Sequence, residues 1–157
     1  MVARIQTAAF NGVEALSVDV QVHLARGAIP GFSVVGLPNK AVSESKDRVR
    51  AALAAIGMAI PPLRVTVNLA PADVMKEGSH YDLPIALAVL VALGKVDASA
   101  AAQWLVLGEL GLDGMLAPVA GVLPAAIHAL SRNLGVVCPA ANGGEAAWAG
   151  RVNVIAP

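Results

Sequence analysis

From Leu83 to Leu93 the chain runs eleven residues, LPIALAVLVAL, without a charge or a strong hydrogen-bonding side chain. The run is too short to cross a bilayer, which takes about 20 apolar residues. It is also apolar on nearly every helical face, so it reads as a central helix buried on most sides. What precedes it is equally constrained. Val65, Val67 and Leu69 alternate with Thr66 and Asn68, the period of a strand with one buried face, and Pro71 stops it. Between them, Ala70 to Tyr81 is crowded with Asp73, Lys76, Glu77, Gly78, Ser79 and His80. Asp82 stands where a helix N-cap belongs, its carboxylate able to accept from first-turn N–H groups. Pro84 falls in the first turn, where proline is tolerated. A strand, a polar loop and a buried helix in this order place a candidate site on the loop.

The rest of the chain must supply a core around that helix. Of 157 residues, 57% are hydrophobic but only 3% aromatic, so Ala, Val and Leu have to build it. A length of this order predicts one domain over 1–157. The start, MVARIQTAAF, has no apolar stretch of the kind that precedes a secretory cleavage site. A single cysteine, Cys138, excludes an internal disulfide and fits a cytoplasmic setting. Eleven Lys and Arg balance eleven Asp and Glu, so no bulk attraction to nucleic acid is expected.

In chain order, Arg4–Phe10 reads as a strand, Asn11-Gly12 as a turn, and Val13–Leu24 as an amphipathic strand on Val18, Val20, Val22 and Leu24. With a short strand at Phe32–Val35, this opening predicts an antiparallel meander. Asn39–Ile56 is expected as one long helix, with Val42, Val49, Leu53 and Ile56 on one face and Gly57 at its end. After the central helix come a strand at Trp104–Leu110, a hairpin turn at Leu112-Asp113-Gly114, and a return at Met115–Val119. A helix over Val122–Asn133 follows, then a strand at Val136–Cys138, a brief helix capped by Asn142, and a last strand at Val152–Ile155. The pattern is α/β, strand-rich at the start and βα-rich afterwards.

Phosphate-loop chemistry is absent. A Walker A loop needs two glycines four residues apart, followed by Lys and Ser or Thr. Gly94-Lys95 leads into Val96, with Val89 where the first glycine belongs, and Gly36 to Lys40 fails the spacing. His23, His80 and His128 are too dispersed for ligand pairs, so no metal is expected. Ser79, His80 and Asp82 are too close in sequence for a hydrolytic triad, whose members converge from separate segments. The loop therefore reads as solvated, with a capping aspartate. Lys40, Lys46, Arg48 and Arg50 cluster on the first long helix, interrupted by Glu44 and Asp47. They are candidate phosphate contacts, because a few such side chains suffice for weak nucleic-acid binding.

Three segments carry a family resemblance: PGFSVVGLPNKAVSESKDRVRAALAAIG, VTVNLAPADVMKEGSHYDLPIALAVL and LGELGLDGMLAPVAGVLPAA. Together, from Pro30 to Ala126, they resemble the N-terminal domain of the Mg-chelatase-like AAA+ ATPases, the ComM/YifB family. The resemblance implies an α+β fold like the proteolytic domain of Lon protease, in the class of ribosomal small-subunit protein five domain two. Such a fold has a mixed sheet with packed helices and a left-handed βαβ crossover. The resemblance also implies a hexameric full-length protein that binds DNA and acts in branch migration during natural transformation. The full-length protein would bind ATP and Mg²⁺ and would include a AAA+ motor with Walker motifs and a magnesium-chelatase-type C-terminal region, both absent from this chain. Expected partners are that motor, further copies of the protein and DNA, with no membrane.

Lon-type proteolysis uses a serine and a lysine. By the resemblance, Lys76-Glu77-Gly78 leads to the serine position at Asp82, and Pro118-Val119-Ala120-Gly121 leads to the lysine position near Leu123. Neither residue has the required chemistry, so the expectation is a non-catalytic domain without a cofactor. Two alternatives stand beside it. One is a Ser/Lys peptidase using Ser79 with Lys76 or Lys95. The other is a protein-interaction module that recruits recombination factors.

Overall fold

The computed structural model describes residues 2–27 and 29–157. The chain opens with a hairpin of β1 (Ala3–Asn11) and β2 (Glu14–Ala25), paired antiparallel from Ala3↔Val22 to Asn11↔Glu14. Gly12 turns between them at φ 63°. Next come β3 (Gly31–Val35), α1 (Lys40–Ser43), α2 (Ser45–Ala55) and β4 (Arg64–Ala70). The central helix α3 spans Asp82–Ala92, after a single 3₁₀ turn at Ser79–Tyr81. The remainder is α4 (Ala98–Ala101), β5 (Trp104–Val106), β6 (Glu109–Leu110), β7 (Leu116–Ala117), α5 (Val122–Ser131), β8 (Gly135–Val137), α6 (Gly143–Ala147) and β9 (Val154–Ile155).

Seven strands form one sheet in the order β3-β4-β2-β1-β5-β8-β9, and β6-β7 form a separate hairpin. The pairings β3–β4, β1–β5, β5–β8 and β8–β9 are parallel, and β2 is antiparallel to both neighbours. In the seven-stranded sheet all strands but β2 therefore run the same way, and their carboxyl ends share one edge. The α+β class predicted from the sequence is what the chain adopts.

The alternation along the strands divides the interior in two. Ile5 and Ala9 of β1, Val18, Val20 and Val22 of β2, and Val65, Val67 and Leu69 of β4 face α2 and α3. Ala8 of β1 joins Leu105, Leu107, Val136 and Cys138 against α5 on the opposite face. Ile85, Ala88 and Val89 of α3 are fully buried. Valine and isoleucine each cost a helix under about 0.7 kcal/mol in propensity. Burying each gains about 1.5–3 kcal/mol, so burial decides the conformation.

Several expectations are corrected by tertiary pairing. The opening is not a three-stranded meander: β4 pairs with β2 along Asp19↔Ala70 to Ala25↔Arg64, leaving β3 as an edge strand parallel to β4. The first long helix is two, broken at Glu44. Asn39 is its N-cap, Oδ1 accepting from Val42 N at 2.9 Å. The strand expected over Trp104–Leu110 divides at Gly108, whose N–H donates to the His80 carbonyl and whose carbonyl accepts from Leu83 N, both at 3.0 Å. Asn142 does not cap α6; its amide grips the Val119 backbone in both directions, at 3.0 and 3.1 Å.

Candidate functional site

The loop from Pro71 to Asp82 leaves the carboxyl end of β4 with Pro71–Asp73, Met75, Glu77 and Gly78 exposed, but it turns four polar residues inward. Lys76, His80, Tyr81 and Asp82 are all buried, so the reading of a solvated loop is corrected. Lys76 stitches it down. Its N–H donates to the Leu37 carbonyl and its carbonyl accepts from Asn39 N, each at 2.9 Å, while Nζ donates to the Pro71 carbonyl. Burial pushes the Lys76 ammonium below the usual lysine range, against the nearby charge of Asp73.

Asp82 is not a helix cap. Its side chain turns away from the first turn of α3 and is fully buried. Oδ1 accepts from Ser45 Oγ at 2.6 Å and from Arg48 Nη2 at 3.1 Å. Oδ2 accepts from Arg48 Nε at 2.7 Å and from Leu110 N at 3.0 Å. One carboxylate thus joins α2, α3 and the β6-β7 hairpin. The hydrogen bond to Asp82 is the main reason that the Arg48 guanidinium is held above its usual range. Ser45 went unrecognised in the sequence, although it lies on the helical stripe Val42, Ser45, Val49, Ala52. A small polar residue on an apolar stripe signals a buried partner.

This pairing revises the basic cluster. Lys40, Lys46 and Arg50 are exposed, with Arg50 lying 5.7 Å above the Phe32 ring. Arg48 points inward, and Nη2 also donates to the Ala41 carbonyl at 2.9 Å and to Ser45 Oγ at 3.5 Å. It is removed from the candidate DNA contacts.

The two positions expected for the dyad have different neighbours. Leu123 sits in the first turn of α5, its N–H donating to Glu145 Oε2 at 2.8 Å. It borders an apolar groove of about 490 Å³ with Val13, Ile127 and His128, whereas every side-chain partner of Asp82 lies on α2 or β6. The alternative pairs fare no better. Lys95 follows the far end of α3, a helix of eleven residues, and so lies about 16 Å along the axis from the Ser79 end. Lys76 Nζ is committed to Pro71.

Ser79 instead borders a cleft of about 640 Å³. Phe10 and Gly12 at the end of β1 form one wall, Gly78, Ser79 and His80 the floor, and Val119 to Gly121 the other wall. It opens at the shared carboxyl edge, where open α/β sheets bind ligands. Within it, His80 is locked: Nε2 lies 2.7 Å from the Ala8 carbonyl, and the ring sits 5.2 Å from Phe10 and 4.1 Å from Tyr81. On the other face, Ser17 Oγ meets His128 Nε2 at 2.7 Å and accepts from Arg132 Nη1 at 3.0 Å. Among the described residues no group of three or more His, Cys, Asp or Glu could hold a metal, and no helix is long and apolar enough to cross a membrane.

Burial holds both His80 and His128 below the ordinary imidazole value, opposed at His80 by the Ala8 bond and the charge of Asp82, and reinforced at His128 by Arg132. Below about pH 6.5 the unfolded chain takes up protons that the folded chain resists. These two residues therefore make stability full above that pH and falling beneath it. The urea midpoint is expected to drop from pH 7 to pH 5, and His80→Gln to shrink the drop. An equal drop in the variant would remove His80 as its source.

Residues 20–142 match the family described as subunit ChlI of Mg-chelatase. The chain is 44% identical over 144 residues to competence protein ComM of Haemophilus influenzae, covering 92% of this chain and 28% of that protein. It is 40% identical over 143 residues to the uncharacterized protein YifB of Salmonella typhimurium, covering 91% and 28%. YifB of Escherichia coli is 43% identical over 126 residues, covering 80% and 25%. The chain thus spans less than a third of the length of these relatives. With most of its own sequence matched at this level, the chain belongs to the Mg-chelatase ChlI-like family, in its ComM/YifB group.

Proposed function

We propose that this chain is a non-catalytic, Lon-like N-terminal module of a Mg-chelatase-like AAA+ ATPase. The ATPase would act on DNA in branch migration and recombination during natural transformation. The carrying observation is the fate of the dyad positions. Asp82, where the related proteases have their serine, is fully buried and accepts four hydrogen bonds from Ser45, Arg48 and Leu110. Leu123 brings no titratable group. A carboxylate so committed serves as an anchor, not as a nucleophile. ATP and Mg²⁺ would be handled by the motor elsewhere in the full-length protein, in a cytoplasmic, hexameric assembly. The name of the Haemophilus relative, a competence protein, supports the process.

DNA engagement by this module would fall to Lys40, Lys46 and Arg50, which remain exposed on α1 and α2. Anisotropy titrations with single-stranded and branched DNA test it. Binding is expected to be weak and steeply salt-dependent, each lost phosphate contact flattening the salt slope by about one unit. Lys40→Glu, Lys46→Glu and Arg50→Glu should each weaken it, and binding untouched by all three would refute this face as the contact. Casein or fluorogenic-peptide turnover by the unmodified chain, abolished in Ser79→Ala, would overturn the non-catalytic reading in favour of a peptidase.

A further inference from the structure

The 640 Å³ cleft carries a feature that the DNA-module reading does not use. A carbonyl cannot donate, so the 2.7 Å contact from His80 Nε2 to the Ala8 oxygen requires the proton on Nε2. In the neutral ring Nδ1 is then a bare acceptor. His80 is 4% exposed, and among the described residues no hydrogen bond reaches Nδ1. Gly78 keeps that lone pair open: a Cβ there would stand 2.9 Å from Nδ1, and the residue holds φ 101°.

The wall facing His80 is a strand edge. The Ala8 carbonyl reaches His80, so Ala8 turns its polar groups away from β2. In an antiparallel ladder this orientation recurs two residues on, at Phe10. β5 pairs with this side of β1 at Gln6 alone, and among the described residues no backbone bond from a turn or loop reaches Phe10. The cleft therefore sets a free main-chain donor and acceptor beside a fixed imidazole acceptor. A donor and an acceptor on a strand edge are what an extended main chain pairs with.

We infer that this cleft receives an extended peptide segment, which pairs with the β1 edge at Phe10 and donates one main-chain N–H to His80 Nδ1.

The test begins with phage-displayed linear heptapeptides selected on the 157-residue chain and counter-selected on Ala120→Trp. Ala120 is exposed on the cleft wall, so the indole fills the cleft without entering the core. Selected peptides are synthesised and titrated into the ¹⁵N-labelled chain. Expected are shifts at Phe10, Gly12 and the His80 ring nitrogens, with binding lost in Ala120→Trp. N-methylation of one peptide nitrogen should cost about tenfold in affinity, the worth of one buried hydrogen bond. His80→Phe, with its fold verified by amide spectra, should lose a similar factor. The proposal is overturned if no peptide is enriched over the blocked variant, or if shifts map to another surface. Affinity indifferent to N-methylation at every position also overturns it. So does a cleft that answers only to DNA oligonucleotides.

Discussion

Asp82→Ala is expected to destabilise the chain by about 3–5 kcal/mol, the range for breaking a buried, hydrogen-bonded ion pair by removing one partner. The substitution deletes the acceptor of Ser45 Oγ, of two Arg48 nitrogens and of Leu110 N–H. It leaves the Arg48 guanidinium half-buried beside a void. A capping aspartate behaves differently: alanine would cost about 0.5–2 kcal/mol, and asparagine, itself a good cap, would be nearly neutral. In the observed site either orientation of asparagine turns its N–H₂ toward an Arg48 nitrogen, which can only donate, so Asp82→Asn is expected to cost well over 1 kcal/mol as well. Urea unfolding of both variants decides between the two roles. Asparagine within about 0.5 kcal/mol of the parent would restore the cap. A double-mutant cycle with Arg48→Met should show strong coupling, since each partner's loss strands the other.

Gly36→Ala is expected to cost about 2–6 kcal/mol. Gly36 follows β3 at φ 105°, and a Cβ there would lie 2.2 Å from the Leu69 carbonyl oxygen and 3.0 Å from Leu69 C and N. The obstruction is the backbone of β4, which cannot rotate aside as a side chain can. Strained φ accounts for about 1–3 kcal/mol, and overpacking for another 1–3. Gly12→Ala is the control: Gly12 also has positive φ, at 63°, but a Cβ would meet nothing within 4 Å. Its cost should stay near 1 kcal/mol, the conformational part alone. Equal unfolding midpoints for the two variants would show that close approach of β3 and β4 is not what selects glycine.

These two residues also mark where reading the chain by neighbours succeeds and where it fails. The β1–β2 hairpin, β4 and α3 were legible because their information is local. Alternation on Val65, Val67 and Leu69, and the unbroken run from Leu83, describe faces set by a period of two or by helical winding. Pro84 and Gly57 punctuate within a turn of the elements they bound. The family resemblance added the expectation that Asp82 and Leu123 stand at lost catalytic positions, something no periodicity contains.

What only the tertiary structure decided is who meets whom. Asp82 has the right type and position for a cap, and local chemistry offers it first-turn N–H groups. A guanidinium 34 residues away and a hydroxyl 37 residues away win it instead, because charge-assisted bonds in a dry site are stronger than a cap in water. The same choice withdraws Arg48 from the basic residues grouped in sequence on the first long helix, leaving Lys40, Lys46 and Arg50 outside. β3 was legible as a strand, but its partner was not: β4 offers β2 the longer apolar match and displaces it to the edge. His80 likewise became a fixed acceptor only when β1, 72 residues earlier, presented the Ala8 carbonyl to it. Local spacing determines which segments are strands and helices. Partnership between distant polar groups is settled by competition among them once the apolar faces have closed, and that competition has no signature in any short window of sequence.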